Sequence, residues 1–170
     1  MRRLAIAVLG CAFLTPAPVA SAESRPAPIF EEAAPRVSLP TKSIGRIVIP
    51  KIKVTAPIFT GITMNIFDKG VGHWPGTPAA GKPGNIVLGG HRTAATRPFA
   101  DIDKLKSGDI IELHRGGRVH KYRVTGHLIV KPTALWITDQ TPSATLTLFA
   151  CHPKGKTTQR YVIRAALVTA

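Results

Sequence analysis

The sequence predicts an all-β fold, a barrel or a sandwich, with one minor helix. Three observations lead there. Short runs rich in Val, Ile and Leu recur along the chain, Gly and Pro separate them (15 of each in 170 residues), and only one segment reads as a helix.

The first strands are Arg46–Ile49 and Val54–Phe59. Asn85–Leu88 follows and ends in Gly89-Gly90-His91. A short helix is expected over Phe99–Leu105, stopped by Ser107-Gly108. Ile110–His114 and Val119–Val130 flank Gly116-Gly117, a hairpin signal. Val119, Tyr122 and Val124 are apolar but Lys121 and Arg123 intrude, so a bulge or bend is expected near Thr125-Gly126. Thr145–Cys151 and Tyr161–Val168 close the chain. There is no internal repeat.

Three segments are expected. Residues 1–22 read as an export signal: Arg2 and Arg3 are basic, Leu4 to Leu14 is apolar, and Ala20-Ser21-Ala22 offers a small-residue cleavage site. The apolar run is shorter than the roughly 20 residues of a membrane span. Leu4 to Ala22 carries no charge, so retention as a membrane anchor stays open beside cleavage. Residues 23–42 form a Pro-rich tether, with Pro26, Pro28, Pro35 and Pro40 interrupting regular structure. Residues 43–170 are the folded domain. The formal charge of +14 reads either as a solvated basic surface or as attraction to an anionic bacterial envelope. Nucleic acid is excluded as a partner by the export segment, the scarcity of aromatics and the lack of any nucleic-acid motif.

Cys151 is the only cysteine beyond the export segment, so it has no partner for an internal disulfide. It is an inert buried side chain, an intermolecular bridge or a nucleophile. The flexible, polar His152–Gln159 stretch puts it at the mouth of a strand where a substrate can reach it. A thiol nucleophile needs a proton-transfer partner and a donor for the oxyanion. Arg160, nine residues on, returns close to Cys151 if the last two strands pair; by itself it reads as a surface charge. Of six histidines, His91 stands out at a strand end with two glycines before it. His152 adjoins the thiol, but neighbouring strand residues point to opposite faces. His73, in a Gly/Pro-rich loop, is placed to line a cleft. No metal-ligand motif is present.

Gly72-His-Trp-Pro-Gly-Thr-Pro78, Gly84-Asn-Ile-Val-Leu-Gly-Gly-His-Arg92 and Leu146-Thr-Leu-Phe-Ala-Cys-His-Pro-Lys-Gly-Lys-Thr-Thr-Gln-Arg160 together resemble the sortase family, most of all its class E branch from actinobacteria. Pro98-Phe99 to Gly108-Asp109 fits the connection after the histidine strand. The resemblance runs from about Gly45 to Ala170. It implies an eight-stranded β-barrel with one or two short helices, and a cysteine transpeptidase that cleaves a C-terminal sorting signal after threonine and passes the acyl group to a cell-surface amine of peptidoglycan or pilin. Cys151 takes the nucleophile position, His91 that of the catalytic histidine and Arg160 that of the catalytic arginine. No cofactor is implied. The family's Thr-Leu-x-Thr-Cys run reads Thr147-Leu-Phe-Ala-Cys151 here, so Ala150 stands where a hydroxyl is usual. Phe149, Ala150, His73 and Trp136 are the candidate substrate contacts. Trp136, in the Lys131–Ser143 loop matching the family's specificity loop, reads equally as a core aromatic. Class E implies a signal of the LAxTG rather than the LPxTG type. Two rivals are an L,D-transpeptidase-like peptidoglycan cross-linker, which usually has glycine before its cysteine, and a non-catalytic basic envelope-binding module.

Overall fold

The computed structural model describes residues 42–169. The export segment and all of the tether except Lys42 lie outside the described residues. Eight strands appear in chain order: β1 (Gly45–Ile49), β2 (Val54–Thr60), β3 (Val71–His73), β4 (Gly84–Gly89), β5 (Ile110–Arg115), β6 (Arg118–Val130), β7 (Ala144–His152) and β8 (Gln159–Leu167). One α-helical turn, α1 (Met64–Phe67), and 3-10 turns at Pro50–Ile52, Ile102–Lys104 and Leu135–Thr138 complete the set. Among the described residues no helix is long and apolar enough to cross a membrane.

The strands close into a barrel in the order β1-β2-β3-β4-β7-β8-β6-β5, with β5 returning to β1. Two pairs are parallel, β2 with β3 and β4 with β7; the others are antiparallel. Closure removes free sheet edges, which otherwise template aggregation. Alternate residues point inward and form the core, among them Ile47, Ile58, Ile86, Leu88, Leu113, Tyr122, Leu146, Leu148 and Ile163.

A second, smaller apolar cluster lies on the outer face. Val87, Phe149, Val162 and Ile137 form it, with Phe67, Trp74, Leu128 and Val130 packed against it. Strand β4 is therefore covered on both sides and every one of its residues is buried. That is why Gly84-Asn-Ile-Val-Leu-Gly89 shows no alternation. Strand β6 feeds both clusters. Tyr122 and Val124 point into the barrel, whereas Leu128 and Val130, of the same parity, pack outside. The register shift between Val124 and Gly126 adds one residue and turns the following side chains over. The bulge expected at Thr125-Gly126 has this role.

Gly116 and Gly117 take φ of 57° and 75° between the paired Arg115 and Arg118. Positive φ at both central residues is what a two-residue hairpin with the strands' own twist requires. The helix expected over Phe99–Leu105 is reduced to the 3-10 turn Ile102–Lys104. Its bonds run from Ile102 N to Phe99 O and from Leu105 N to Ile102 O, and Leu105 is already extended. Phe99, Ile102 and Leu105 are all drawn into the core. Anchoring residues three apart on one side favours a three-residue turn over a continuing α-helix.

Candidate active site

Strand register brings Cys151 and Arg160 face to face. They are direct partners across β7 and β8, so their side chains share one side of the sheet. Cys151 has the parity of Phe149, and Arg160 that of Val162; both of those belong to the outer cluster. The thiol and the guanidinium therefore emerge on the outer face, beyond the apolar patch. Cys151 is free and partly exposed.

His91 reaches the same edge from β4. Gly89 pairs with Phe149 in the parallel β4–β7 ladder, and Gly90 N donates to Phe149 O at 3.2 Å. His91 and Cys151 are each two residues past that rung. His91 O accepts from Phe99 N at 3.0 Å, which fixes the backbone. The ring is buried, meets Phe67 edge-on at 5.8 Å, and its Nε2 donates to Asp68 Oδ1 at 2.9 Å. A chain of aromatic contacts then leads outward: Phe67 to Phe149 at 6.3 Å and Phe149 to Trp74 at 5.8 Å. A Cβ at Gly89 would strike the Phe149 ring. Glycine there lets the ring lie on the backbone of β4.

Beside this edge opens a cleft of about 290 Å³. Ile62, Met64, Phe67, Trp74, Leu135, Ile137 and Phe149 give it apolar walls, and Arg160 is its charged member. Met64 and Leu135 are more than half exposed and stand as its lips. Such a cleft suits an extended apolar peptide with a polar group at one end. One nitrogen of Arg160 donates to Thr157 O and Gln159 O at 2.8 and 2.9 Å, which orients the guanidinium plane.

The Lys131–Ser143 loop is held to the barrel by buried polar groups. Asn85 Nδ2 donates to Ile137 O and Asp139 O at 3.0 and 3.1 Å. Its Oδ1 accepts from Thr147 Oγ1 at 2.7 Å, and Thr147 in turn accepts from Arg164 Nη1 at 2.6 Å. Gln140 brackets the Asn85 backbone, accepting from its N and donating to its O. Burial holds the Arg164 guanidinium below its ordinary pKa, and Asp139 opposes that.

Of the candidate substrate contacts, Phe149 lines the cleft. Trp136 does not. It is half exposed, lies under Arg164 with 5.8 Å between guanidinium and ring, and borders a separate hollow with Gln140 and Thr145. It is therefore not a core aromatic either. Ala150 is buried in the barrel interior, since it neighbours Cys151 and points the other way. His73 also turns inward. Its Nε2 sits 2.9 Å from Thr77 Oγ1 and 3.1 Å from Pro78 O, and it borders a small hollow with Ile58, Ile86 and Leu113. His152 is on the face opposite Cys151 and bonds Arg92.

Sequence reasoning passed over Asp68, Arg92, Asn85, Thr147 and Arg164. A signal existed for three of them. Asn85, Thr147 and Arg164 interrupt apolar strand runs, and a polar group so placed needs a buried partner. Asp68, in a polar stretch before Gly70, gives no such sign.

A model described as the sortase domain matches residues 47–168. The chain is 33% identical over 129 residues to Sortase D of Bacillus subtilis (strain 168), an alignment covering 74% of this chain and 64% of that protein. It is 29% identical over 145 residues to Sortase SrtE1 of Streptomyces coelicolor, covering 76% of this chain and 41% of that one. The chain thus spans less than two thirds of the length of these curated relatives. Among solved structures, a Clostridium perfringens Sortase D5 transpeptidase superimposes with a TM-score of 0.69 at 28% identity, over 75% of this chain and 80% of that one.

Proposed function

The chain belongs to the sortase family, and from that premise we propose that it is a cysteine transpeptidase acting on the sorting signals of exported proteins. The observation that carries the proposal is the shared outward edge of β4, β7 and β8, where Cys151 and Arg160 are register partners and His91 follows two residues after the last rung of the parallel neighbour, beside an apolar cleft.

The chemistry assigned to these groups is acyl transfer. The Cys151 thiolate attacks the carbonyl carbon of the threonine in the signal, because the thiolate and not the thiol is nucleophilic. The carbonyl oxygen becomes an oxyanion. Arg160, charged at every relevant pH and donating in a fixed plane, steadies that oxyanion or aligns the signal. The C–N bond then breaks, and His91 protonates the leaving amine. A thioester between Cys151 and threonine remains. An amine of peptidoglycan or pilin attacks it, His91 takes the amine's proton, and the thiolate is released. Asp68, bonded to Nε2 of the imidazole, fixes the ring orientation. Peptide enters along the apolar cleft with Phe149 as part of its floor.

We assign the chain to class E, with a preference for LAxTG-type over LPxTG-type signals, on the motif resemblance and the likeness to Sortase SrtE1. Export to the bacterial surface, through residues 1–22 as signal or anchor and 23–42 as tether, belongs to the same proposal.

The test is cleavage of paired LAxTG and LPxTG peptides with a supplied amine acceptor. Cys151→Ala should abolish turnover. His91→Ala and Arg160→Ala should each reduce kcat/KM by about 100-fold or more, the size typical for losing an acid–base group or an oxyanion donor. Near-normal turnover by His91→Ala would remove His91 from the mechanism.

A further inference from the structure

The ladder joining β4 to β7 ends at Gly89 and Phe149. His91 and Cys151 lie beyond that last rung, where strand pairing no longer sets their separation. A side-chain contact on the opposite face spans the gap. Arg92 follows His91, His152 follows Cys151, and Arg92 Nη1 donates to His152 Nδ1 at 2.8 Å. The guanidinium is held from two further directions. Its Nη2 pairs with Asp103 Oδ1 at 2.7 Å, and its plane lies over the Tyr161 ring at 5.5 Å. His152 also meets Tyr161, at 5.7 Å. Nearby, Lys154 reaches Asp101 at 3.1 Å and ties the turn after β7 to the same 3-10 segment that carries Asp103.

The arrangement carries a cost to the fold. The Arg92 side chain is only 2% exposed, and its Nε is buried without a hydrogen-bond partner among the described residues. An orphaned buried donor is a net cost, and a buried ion pair seldom outdoes apolar packing of the same volume. The position bears that unpaired donor and is well placed as a spacer.

We propose that Arg92 and His152 are positioning residues whose side-chain stitch sets the distance between the His91 imidazole and the Cys151 thiol. The inference rests on the reading that His91 and Cys151 act together. His91 packs on Phe67 of the outer cluster and Arg92 lies over Tyr161 of the inner one, so a link between 92 and 152 on the inner face fixes 91 against 151 on the outer one. Neither Arg92 nor His152 touches the reacting atoms. Their contribution is geometric, and misplacement by about 1 Å in a reacting pair costs on the order of 100-fold in rate.

The experiment compares two changes at His152. His152→Phe keeps an aromatic ring against Tyr161 and removes the acceptor. His152→Asn places a carbonyl oxygen where Nδ1 stood and keeps it. We expect His152→Phe to lower kcat by roughly 10- to 100-fold with KM within about twofold, and His152→Asn to restore most of that loss. Arg92→Met should match His152→Phe, and the double variant should lose no more than either alone. Alkylation of Cys151 by iodoacetamide is measured in parallel, because it needs no peptide. Its rate should follow the same order. The inference is overturned if His152→Phe keeps wild-type kcat and alkylation rate, if His152→Asn is as impaired as His152→Phe, or if the Arg92 and His152 losses multiply. Should Arg92→Met not fold, the two His152 variants decide. A wild-type chain that cleaves no sorting peptide would defeat the transpeptidase proposal, while the alkylation series would still decide the stitch.

Discussion

His73 has a titration set by its surroundings. Burial pushes its pKa below the ordinary value of 6.5; bonding to Pro78 works against this, and the Arg115 charge adds to it. The folded chain therefore prefers the neutral ring. Above pH 6.5 both folded and unfolded chains hold it neutral, and the stabilisation is complete. As pH falls below 6.5 the unfolded chain takes up the proton first, and stability drains away toward the lowered folded value. We expect the thermal midpoint of the wild type to drop more between pH 7.5 and pH 5 than that of His73→Gln, whose amide can donate to the same carbonyl without titrating. Equal drops in the two proteins would remove His73 as a source of acid sensitivity. His73 is also less legible in the sequence than its fellow candidates. Cys151 and Arg160 lie on strands whose alternation gives each side chain a face. His73 lies in Gly70-Val-Gly-His-Trp-Pro-Gly76, where no period says which way it points, and it turned inward. Ala150 was within reach of the same parity argument: if Cys151 faces out, Ala150 faces in.

The Lys131–Ser143 loop walls the cleft through Pro132, Ala134, Leu135 and Ile137, and Asn85 holds it there. Asn85→Ala removes the donor to two loop carbonyls and the acceptor for Thr147. We expect a loss of about 1–3 kcal/mol, read by denaturant unfolding, together with faster proteolytic nicking within 131–143. Unchanged nicking would mean that apolar contacts at Ile137 suffice. At this scale seven strands were legible to within two residues, because each is an apolar run between turn residues. Strand β3 was not. It has three residues, one of them glycine, and exists because Phe59 and Leu88 offer backbone partners to Gly72 and His73. The α1 turn and the 3-10 turn Leu135–Thr138 have no helical period to read; tertiary anchoring of Phe67 and Ile137 in the outer cluster defines them.

Whether the strands close into a barrel or stack as a sandwich depends on one distant pairing, Ile47 with Leu113. Nothing local to either strand encodes it, so composition and spacing leave both architectures open and only the resemblance to sortases implied closure. The strand order seats β7 between β4 and β8, and so brings residue 91 to the same barrel end as residues 151 and 160. The asymmetry between the covered outer face of β4–β7–β8 and the more exposed β5–β6 hairpin follows from the bulge at Gly126, which turns Leu128 and Val130 outward beneath the loop. In the proposed mechanism Cys151 carries the acyl group. Intact-mass spectrometry of the protein incubated with an LAxTG peptide and no amine acceptor tests it most directly. A thioester adduct equal to the peptide truncated after threonine, located on Cys151 and absent from Cys151→Ala, is expected. An unmodified protein beside cleaved peptide, or an adduct that persists in Cys151→Ala, would contradict it.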